Sequence, residues 1–265
     1  MTNPPGSFIW YELLTTDLAA AADFYQAVAG LQIPREAAPG PQDYRMIGTP
    51  GGGHVGGAMQ LTSDMMEKGA RPTWLGYVGV DDVDATVQRI EAAGGSTQMA
   101  AIEVPDVGTM AMVADPQGAP FYVMAPTPPK GDEDKTSDAF HREKAGHVAW
   151  NELHTSDLDG ALAFYKGQLG WEESDRMDMP NGAYQMFKVG GAEFACGGMM
   201  ANPDVPRPTW LFYLRVENID SAYAQVGTAG GRTLMPPHEI PGGDFIVMGF
   251  DPQGAMFAVV GPRKA

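Results

Sequence analysis

One cysteine, Cys196, stands in 265 residues, so no disulfide can close within the chain and a reducing compartment fits. Positive charge is scarce as well: 17 Lys and Arg face 33 Asp and Glu, a formal net charge of −16. Such a surface repels phosphate backbones and anionic lipid, which argues against nucleic acid and membranes as partners. No apolar run approaches the ~18 residues that a membrane span needs. The opening Met1-Thr2-Asn3-Pro4-Pro5-Gly6 lacks the basic-then-apolar layout of a secretory signal. A cytoplasmic protein is expected. Gly51-Gly52-Gly53 has neither the lysine nor the strand-to-helix setting of a phosphate loop, which leaves nucleotide binding unsupported. Cys196 has no partner motif for nucleophilic catalysis. Disorder is excluded by a hydrophobic content of 44%.

What is present is present twice. Trp10-Tyr11-Glu12-Leu13-Leu14-Thr15-Thr16-Asp17-Leu18 returns as Trp150-Asn151-Glu152-Leu153-His154-Thr155-Ser156-Asp157-Leu158, and Phe24-Tyr25 returns as Phe164-Tyr165. Arg71-Pro72-Thr73-Trp74-Leu75 returns as Arg207-Pro208-Thr209-Trp210-Leu211, and Asp115-Pro116-Gln117-Gly118-Ala119 as Asp251-Pro252-Gln253-Gly254-Ala255. A period this long is a duplicated domain rather than a solenoid. Residues 126–144 begin Pro-rich, turn charged and show no apolar periodicity, so they form a linker, with a short helical turn near His141–Lys144. One module is expected over 6–125 and the other over 145–262.

Within a module the elements also recur. Phe8–Leu14 is a strand by its β-branched and aromatic content, and Asp17 can cap a helix over Ala19–Ala29 whose Ala21, Phe24, Tyr25 and Val28 share a face. Gly30 ends it. Short apolar segments follow near Leu31–Ile33, Tyr44–Ile47 and Val55–Leu61. The order restarts with a strand at Thr73–Val80, a helix capped by Asp81 or Asp82, and strands near Gln98–Val104, Thr109–Val113 and Ala119–Met124. The second module repeats both units, with helices at Leu158–Gln168 and Ile219–Thr228. The fold class is therefore α+β, four βαβββ units with helices on one side of concave mixed sheets.

Aromatic-x-Glu-Leu-x-Thr-x-Asp-Leu, then Phe-Tyr, then Val80-Asp81-Asp82-Val83-Asp84 and Asp-Pro-Gln-Gly-Ala, resembles the vicinal oxygen chelate superfamily. That superfamily holds glyoxalase I, extradiol dioxygenases and the bleomycin- and fosfomycin-resistance proteins. The resemblance covers nearly the whole chain outside the linker and implies two cup-shaped modules paired as a single-chain pseudo-dimer, which is itself a monomer or pairs again as a homodimer. It also implies where a divalent metal would be held. Counting from the shared motifs puts those positions at Trp10, Gln60, Leu75 and Tyr122 in one module, and at Trp150, Met200, Leu211 and Ala258 in the other. Neither set can coordinate a hard or borderline cation. No metal ligands and no cofactor are expected.

Alternation along a strand puts Trp10, Glu12 and Leu14 on the face where ligands would sit, matched by Trp150, Glu152 and His154. On the fifth strand of each module Tyr77 and Tyr213 fall on the equivalent face. Each Glu is then either an acid/base or ligand-binding group, or a carboxylate bonded to backbone or Tyr that holds strand register. Glu12, Glu152 and His154 are the catalytic candidates. Seventeen methionines is a high count, and many fall on strands, including Met46 and Met186 beside Tyr44 and Tyr184. Thioethers adapt to aromatic shapes, so Trp10, Trp150, Tyr44, Tyr184, Tyr77, Tyr213, Tyr122, Met46 and Met186 are expected to line a greasy pocket. His154 and His238 have no counterparts in the first module, where Leu14 and Ile102 stand, and with Glu152 could form a private site. His54 and His147 are expected in solvent. The functional expectation is a binder of a small hydrophobic or aromatic molecule. The alternative is a lyase, isomerase or oxygenase-like enzyme of the same superfamily using Glu12 or Glu152, or a non-standard metal in the second module.

Overall fold

The computed structural model describes residues 3–37, 42–128, 131, 135–179, 182–203 and 207–264. In the first half the elements run β1 (Phe8–Thr15), α1 (Leu18–Ala29), β2 (Tyr44–Gly48), β3 (His54–Gln60), α2 (Ser63–Glu67), β4 (Thr73–Gly79), α3 (Val83–Ala92), β5 (Ser96–Val104), β6 (Gly108–Ala114) and β7 (Pro120–Pro126). In the second half they run β8 (Val148–Thr155), α4 (Leu158–Leu169), β9 (Glu172–Met179), β10 (Gly182–Lys188), β11 (Gly197–Ala201), β12 (Thr209–Arg215), α5 (Ile219–Thr228), β13 (Arg232–Thr233), β14 (His238–Glu239), β15 (Phe245–Phe250) and β16 (Met256–Gly261). The strands belong to two mixed sheets, one of seven and one of nine. Among the described residues no helix is long and apolar enough to cross a membrane.

Each repeat uses the same local chemistry. The Asp17 side chain accepts from the backbone N–H of Ala19 and Ala20 at 3.0 Å, and Asp157 does so from Gly160 at 3.0 Å, which starts α1 and α4. Gly30 and Gly170 end these helices at φ 70° and 69°, in the left-handed region that a side chain disfavours. The helix returns the chain so that the first strand of a repeat pairs in parallel with the last: β1 with β3, β4 with β7, β8 with β11 and β12 with β16. Antiparallel pairing then adds β2, β6, β10 and β15.

The first repeat departs from expectation. The strand expected near Leu31–Ile33 shrinks to one bridge, Gln32 to Gly48, because Pro34 follows at once with no N–H to continue a ladder. Its counterpart in the second half is the full strand β9. The helical turn expected near His141–Lys144 is absent, and Phe140 instead bridges Val148. His147, expected in solvent, is buried at 3% exposure, with Nδ1 3.2 Å from the Ala145 carbonyl, whereas His54 is exposed.

By compactness the chain divides into one unit of Met1–Ile9, Gly76–Ser137 and Trp150–Trp210, and another of Trp10–Leu75, Asp138–Ala149 and Leu211–Ala265. Each unit therefore takes one repeat from each half of the sequence. What joins two repeats inside a unit is a buried triad built from the duplicated motifs. In the second unit the Trp74 indole N–H donates to the Tyr25 hydroxyl at 2.8 Å, and that hydroxyl lies 3.1 Å from Asp251 Oδ2, to which it donates. In the first unit Tyr165 donates to Asp115 Oδ2 at 3.0 Å, and the Trp210 ring meets the Tyr165 ring edge to face with centroids 5.5 Å apart. The other oxygen of each aspartate accepts from its own turn, from Gln117 and Ala119 or from Gln253 and Ala255. Burial pushes both tyrosine hydroxyls far above their usual pKa, with the adjacent carboxylate adding to it, so they remain donors. Edge-to-face contacts of Phe24 with Phe257 in one unit, and stacked Trp171 with Tyr165 and Phe187 in the other, surround these triads with apolar surface.

Candidate functional site

The sheet face carrying the first-strand glutamates is built alike in both halves. In the second unit, the parallel register β1–β3 sets Glu12 opposite Gly57 and Leu14 opposite Met59, while β2 sets Tyr44 opposite Met59 and Met46 opposite Gly57. In the first unit, β8–β11 sets Glu152 opposite Gly198 and His154 opposite Met200, while β10 sets Tyr184 opposite Met200 and Met186 opposite Gly198. Met177 of β9 joins that face opposite Tyr184. The methionines of these faces are half-buried or, for Met46, 40% exposed, whereas Met199 points the other way and is buried.

A tyrosine lies across each glycine. A Cβ on Gly57 would stand 2.0 Å from the Tyr44 hydroxyl oxygen, and one on Gly198 2.3 Å from the Tyr184 ring. Glycine is what lets the ring reach the first strand, where it meets the tryptophan. Trp10 Nε1 donates to the Tyr44 hydroxyl at 3.0 Å and Trp150 Nε1 to the Tyr184 hydroxyl at 2.6 Å. Both tryptophans are half-buried at the same register, and both glutamates are buried.

The second-half face carries the arrangement further. Tyr184 donates to Glu152 Oε2 at 2.8 Å, and His154 Nε2 lies 2.8 Å from Glu152 Oε1. His154 Nδ1 lies 2.8 Å from Asn202 Nδ2. With the Asn202 amide as donor, the ring proton falls on Nε2 and points at Glu152. Burial, with the charge of Glu152 next in importance, drives the Tyr184 hydroxyl far above its usual pKa, so it stays protonated and donating. Asn202 was not foreseen, since nothing in the first half repeats it. The glycines were legible in principle, because Gly56-Gly57 recurs as Gly197-Gly198.

Backbone bonds from Leu61 to Thr15 and from Asn202 to Thr155 make Leu61 the counterpart of Asn202, as Leu14 is of His154. Two leucines in one copy are thus a bonded His–Asn pair in the other. Burying a leucine is worth roughly 1.5–3 kcal/mol, so the polar pair forgoes apolar burial that the same frame accommodates elsewhere.

The remaining candidates are placed as follows. Tyr77 stacks on Tyr122 in the first unit, centroids 4.2 Å apart and 9° from parallel. Tyr213, in the second unit, donates to the sulfur of Met248 at 3.6 Å and pairs in register with Ala258. His238 is exposed on β14. One sequence assignment needs correction: Gln60 and Met200 are not equivalent. Met59 is the residue matching Met200, and Gln60, one position on, turns away and donates to the Thr16 carbonyl at 2.7 Å. A slip of one residue on a strand exchanges its faces.

Among the described residues no group of three or more His, Cys, Asp and Glu side chains is placed to hold a metal ion. Glu152 and His154 are joined by an amide, Asn202, rather than by a third ligand of that kind.

The profile described as Glyoxalase/Bleomycin resistance protein/Dioxygenase superfamily matches residues 7–123 and again 144–259. The chain is similar to "Putative glyoxylase CFP32" of Mycobacterium tuberculosis (strain CDC 1551 / Oshkosh), 34% identical over 255 residues, covering 96% of this chain and 94% of that protein. It is also similar to "Anthracycline biosynthesis protein DnrV" of Streptomyces peucetius, 28% identical over 269 residues, covering 98% and 94%. Among solved structures it resembles the Mn(II)-bound glyoxalase from Novosphingobium aromaticivorans, with a TM-score of 0.65 at 16% identity, covering 98% of this chain and 83% of that one.

Proposed function

The chain belongs to the glyoxalase/bleomycin resistance protein/dioxygenase superfamily, and from that premise we propose that it binds a small, planar, largely apolar molecule on its Trp–Tyr–Met faces without the divalent metal of the family. The observation that carries this reading is the pair of indole-to-tyrosine bonds. The first-strand positions that hold ligands in metal-dependent members are tryptophans here, and each is tied to a tyrosine lying over glycine. The donor set present does not fit such a cation: Leu75, Leu211 and Ala258 offer no lone pair, and Trp10 and Trp150 offer only an N–H that is already donated.

Rigid aromatic faces and half-buried thioethers suit a flat π-system, which gains from stacking and from sulfur contact. Two relatives named for anthracycline biosynthesis, each covering 98% of the chain, support a polycyclic aromatic ligand over a small polar one. Metal analysis of protein purified without chelator should find no stoichiometric Zn, Ni, Mn or Fe, and calorimetric titration with planar aromatic compounds should give saturable binding. A stoichiometric metal, or no binding across such a series, overturns the reading.

The close pair of Glu152 and His154 favours a second reading, a metal-independent acid/base catalyst of the same superfamily. Glu152→Gln would then abolish turnover of a substrate, whereas under the binding reading it only weakens affinity.

A further inference from the structure

Between α3, the end of α4 and the N-terminal segment, all within the first unit, lies a cleft of about 210 Å³. We propose that this cleft binds a small zwitterion, an amino acid with its two charges at the ends of a short unbranched chain. Its carboxylate meets Arg89 and its ammonium group meets Asp81 and Asp82. The cleft shares no residue with the Trp–Tyr–Met faces. It is too small for the polycyclic ligand proposed for them, since sites for drug-sized molecules measure roughly 300–1,000 Å³.

The local sequence puts the charged groups there. Asp82 caps α3, and Thr86 and Arg89 follow four and seven positions on, so the three lie along one stripe of the helix. Thr86, 1% exposed, donates to the Asp82 carbonyl at 2.7 Å and accepts from Arg89 Nη2 at 2.9 Å. The hydroxyl pins the guanidinium against the helix and leaves most of its donors for a ligand. Among the described residues Arg89 forms no ion pair, and the side chains of Asp81 and Gln168 have no hydrogen-bond partner. The Asp82 carboxylate accepts from the Ala85 backbone N–H at 2.9 Å. One cleft thus presents a guanidinium, two carboxylates and an amide with bonding capacity in hand. A simple anion there meets Asp81 and Asp82, and a simple cation meets Arg89. A ligand carrying both signs satisfies both, and a guanidinium holds a carboxylate through two parallel bonds.

The second unit shows that the frame does not need these groups. Asn218 caps α5 as Asp82 caps α3, so Ala222 stands for Thr86 and Gln225 for Arg89, while Val28 of α1 stands for Gln168 of α4. There α1 packs along α5, with Val28 and Ala222 buried. The chain enters both units through a glycine at positive φ, Gly6 at 88° and Gly146 at 78°, whose N–H donates to the Gly79 or the Arg215 carbonyl. The same architecture is therefore apolar at the counterparts of Thr86 and Gln168. Packing alone does not call for the polar set in the first unit.

Calorimetric titration at low ionic strength with glycine, β-alanine and γ-aminobutyrate, and with butyrate and butylammonium as controls of one charge, tests this. Wild-type protein should bind at least one of the three amino acids saturably, at one site per chain and about tenfold or more tightly than either control. Arg89→Gln, which copies Gln225, and Asp81→Asn should each weaken that amino acid about tenfold. Both side chains are exposed, so the two variants should melt as wild-type protein does. Arg89→Lys should keep only part of the affinity, because an ammonium group cannot form the paired bonds of a guanidinium. No saturable binding of any of the three amino acids, a control bound as tightly, or an affinity unchanged by Arg89→Gln overturns the proposal. Each of these outcomes leaves the reading of the Trp–Tyr–Met faces standing, since titration with planar aromatic compounds involves none of these residues.

Discussion

Replacing Tyr25 with phenylalanine tests whether the duplicated motifs hold two repeats together. The hydroxyl accepts from Trp74 Nε1 at 2.8 Å and donates to Asp251 Oδ2 at 3.1 Å, and all three residues are buried. Tyr25→Phe keeps the ring and its packing on Phe24 and Phe257 but leaves the Trp74 N–H with no hydroxyl and Asp251 with one donor fewer. A buried donor left unsatisfied costs about 1–3 kcal/mol, and a bond to a charged group contributes about 1.5–3 kcal/mol. The two losses share one atom and do not simply add, so a destabilisation of about 2–5 kcal/mol is expected. Urea unfolding followed by tryptophan fluorescence should show a lower midpoint at unchanged slope. Combining Tyr25→Phe with Asp251→Asn should reveal a coupling of about 1 kcal/mol or more.

The pH dependence has a definite sign. Burial raises the Asp251 pKa in the folded state, and the Tyr25 hydrogen bond partly lowers it again. A carboxyl whose folded pKa exceeds its unfolded one favours folding below the unfolded value, near 3.9, and loses that contribution as pH climbs through the folded one. Removing the tyrosine hydroxyl raises the folded pKa further, so the deficit of Tyr25→Phe should be smallest in acid and should widen as pH rises through that window. A deficit below about 0.5 kcal/mol at neutral pH, or a deficit that shrinks with rising pH, would refute the argument.

Two neighbouring glycines should respond differently to alanine. A Cβ on Gly57 meets the movable end of Tyr44, so Gly57→Ala should cost little stability but swing the ring off Trp10 and weaken ligand binding. A Cβ on Gly56 would stand 1.8 Å from the Tyr11 carbonyl oxygen, which cannot yield without moving β1, so Gly56→Ala should lower the melting temperature far more; equal effects in a melting assay would count against this geometry. Burial pushes the Cys196 thiol up to about 12, so thiol reagents at pH 8 should leave native protein unmodified and label it fully in denaturant; rapid labelling of native protein would contradict the burial.

Much of the protein was legible in its sequence. The duplication, the helix caps Asp17 and Asp157, the terminating Gly30 and Gly170, and the shared face of Trp10 with Glu12 all follow from short-range rules, because capping and strand alternation depend only on residues a few positions apart. The same counting assigned Gln60 instead of Met59 to the face, since a spacing rule cannot see a one-residue difference in register.

Sequence by itself determined the family, the number of repeats and the residue types at the positions where the resemblance places ligands. It could not say that each compact unit takes one repeat from each half, because that pairing rests on contacts such as Tyr25 with Asp251, 226 positions apart. Nor could it join Asn202 to His154, 48 positions away and without a repeat to flag it. Hydrogen bonds between distant side chains exist only once strands have been brought into register, so the triads and the chain of donors converging on Glu152 were decided by the tertiary fold alone.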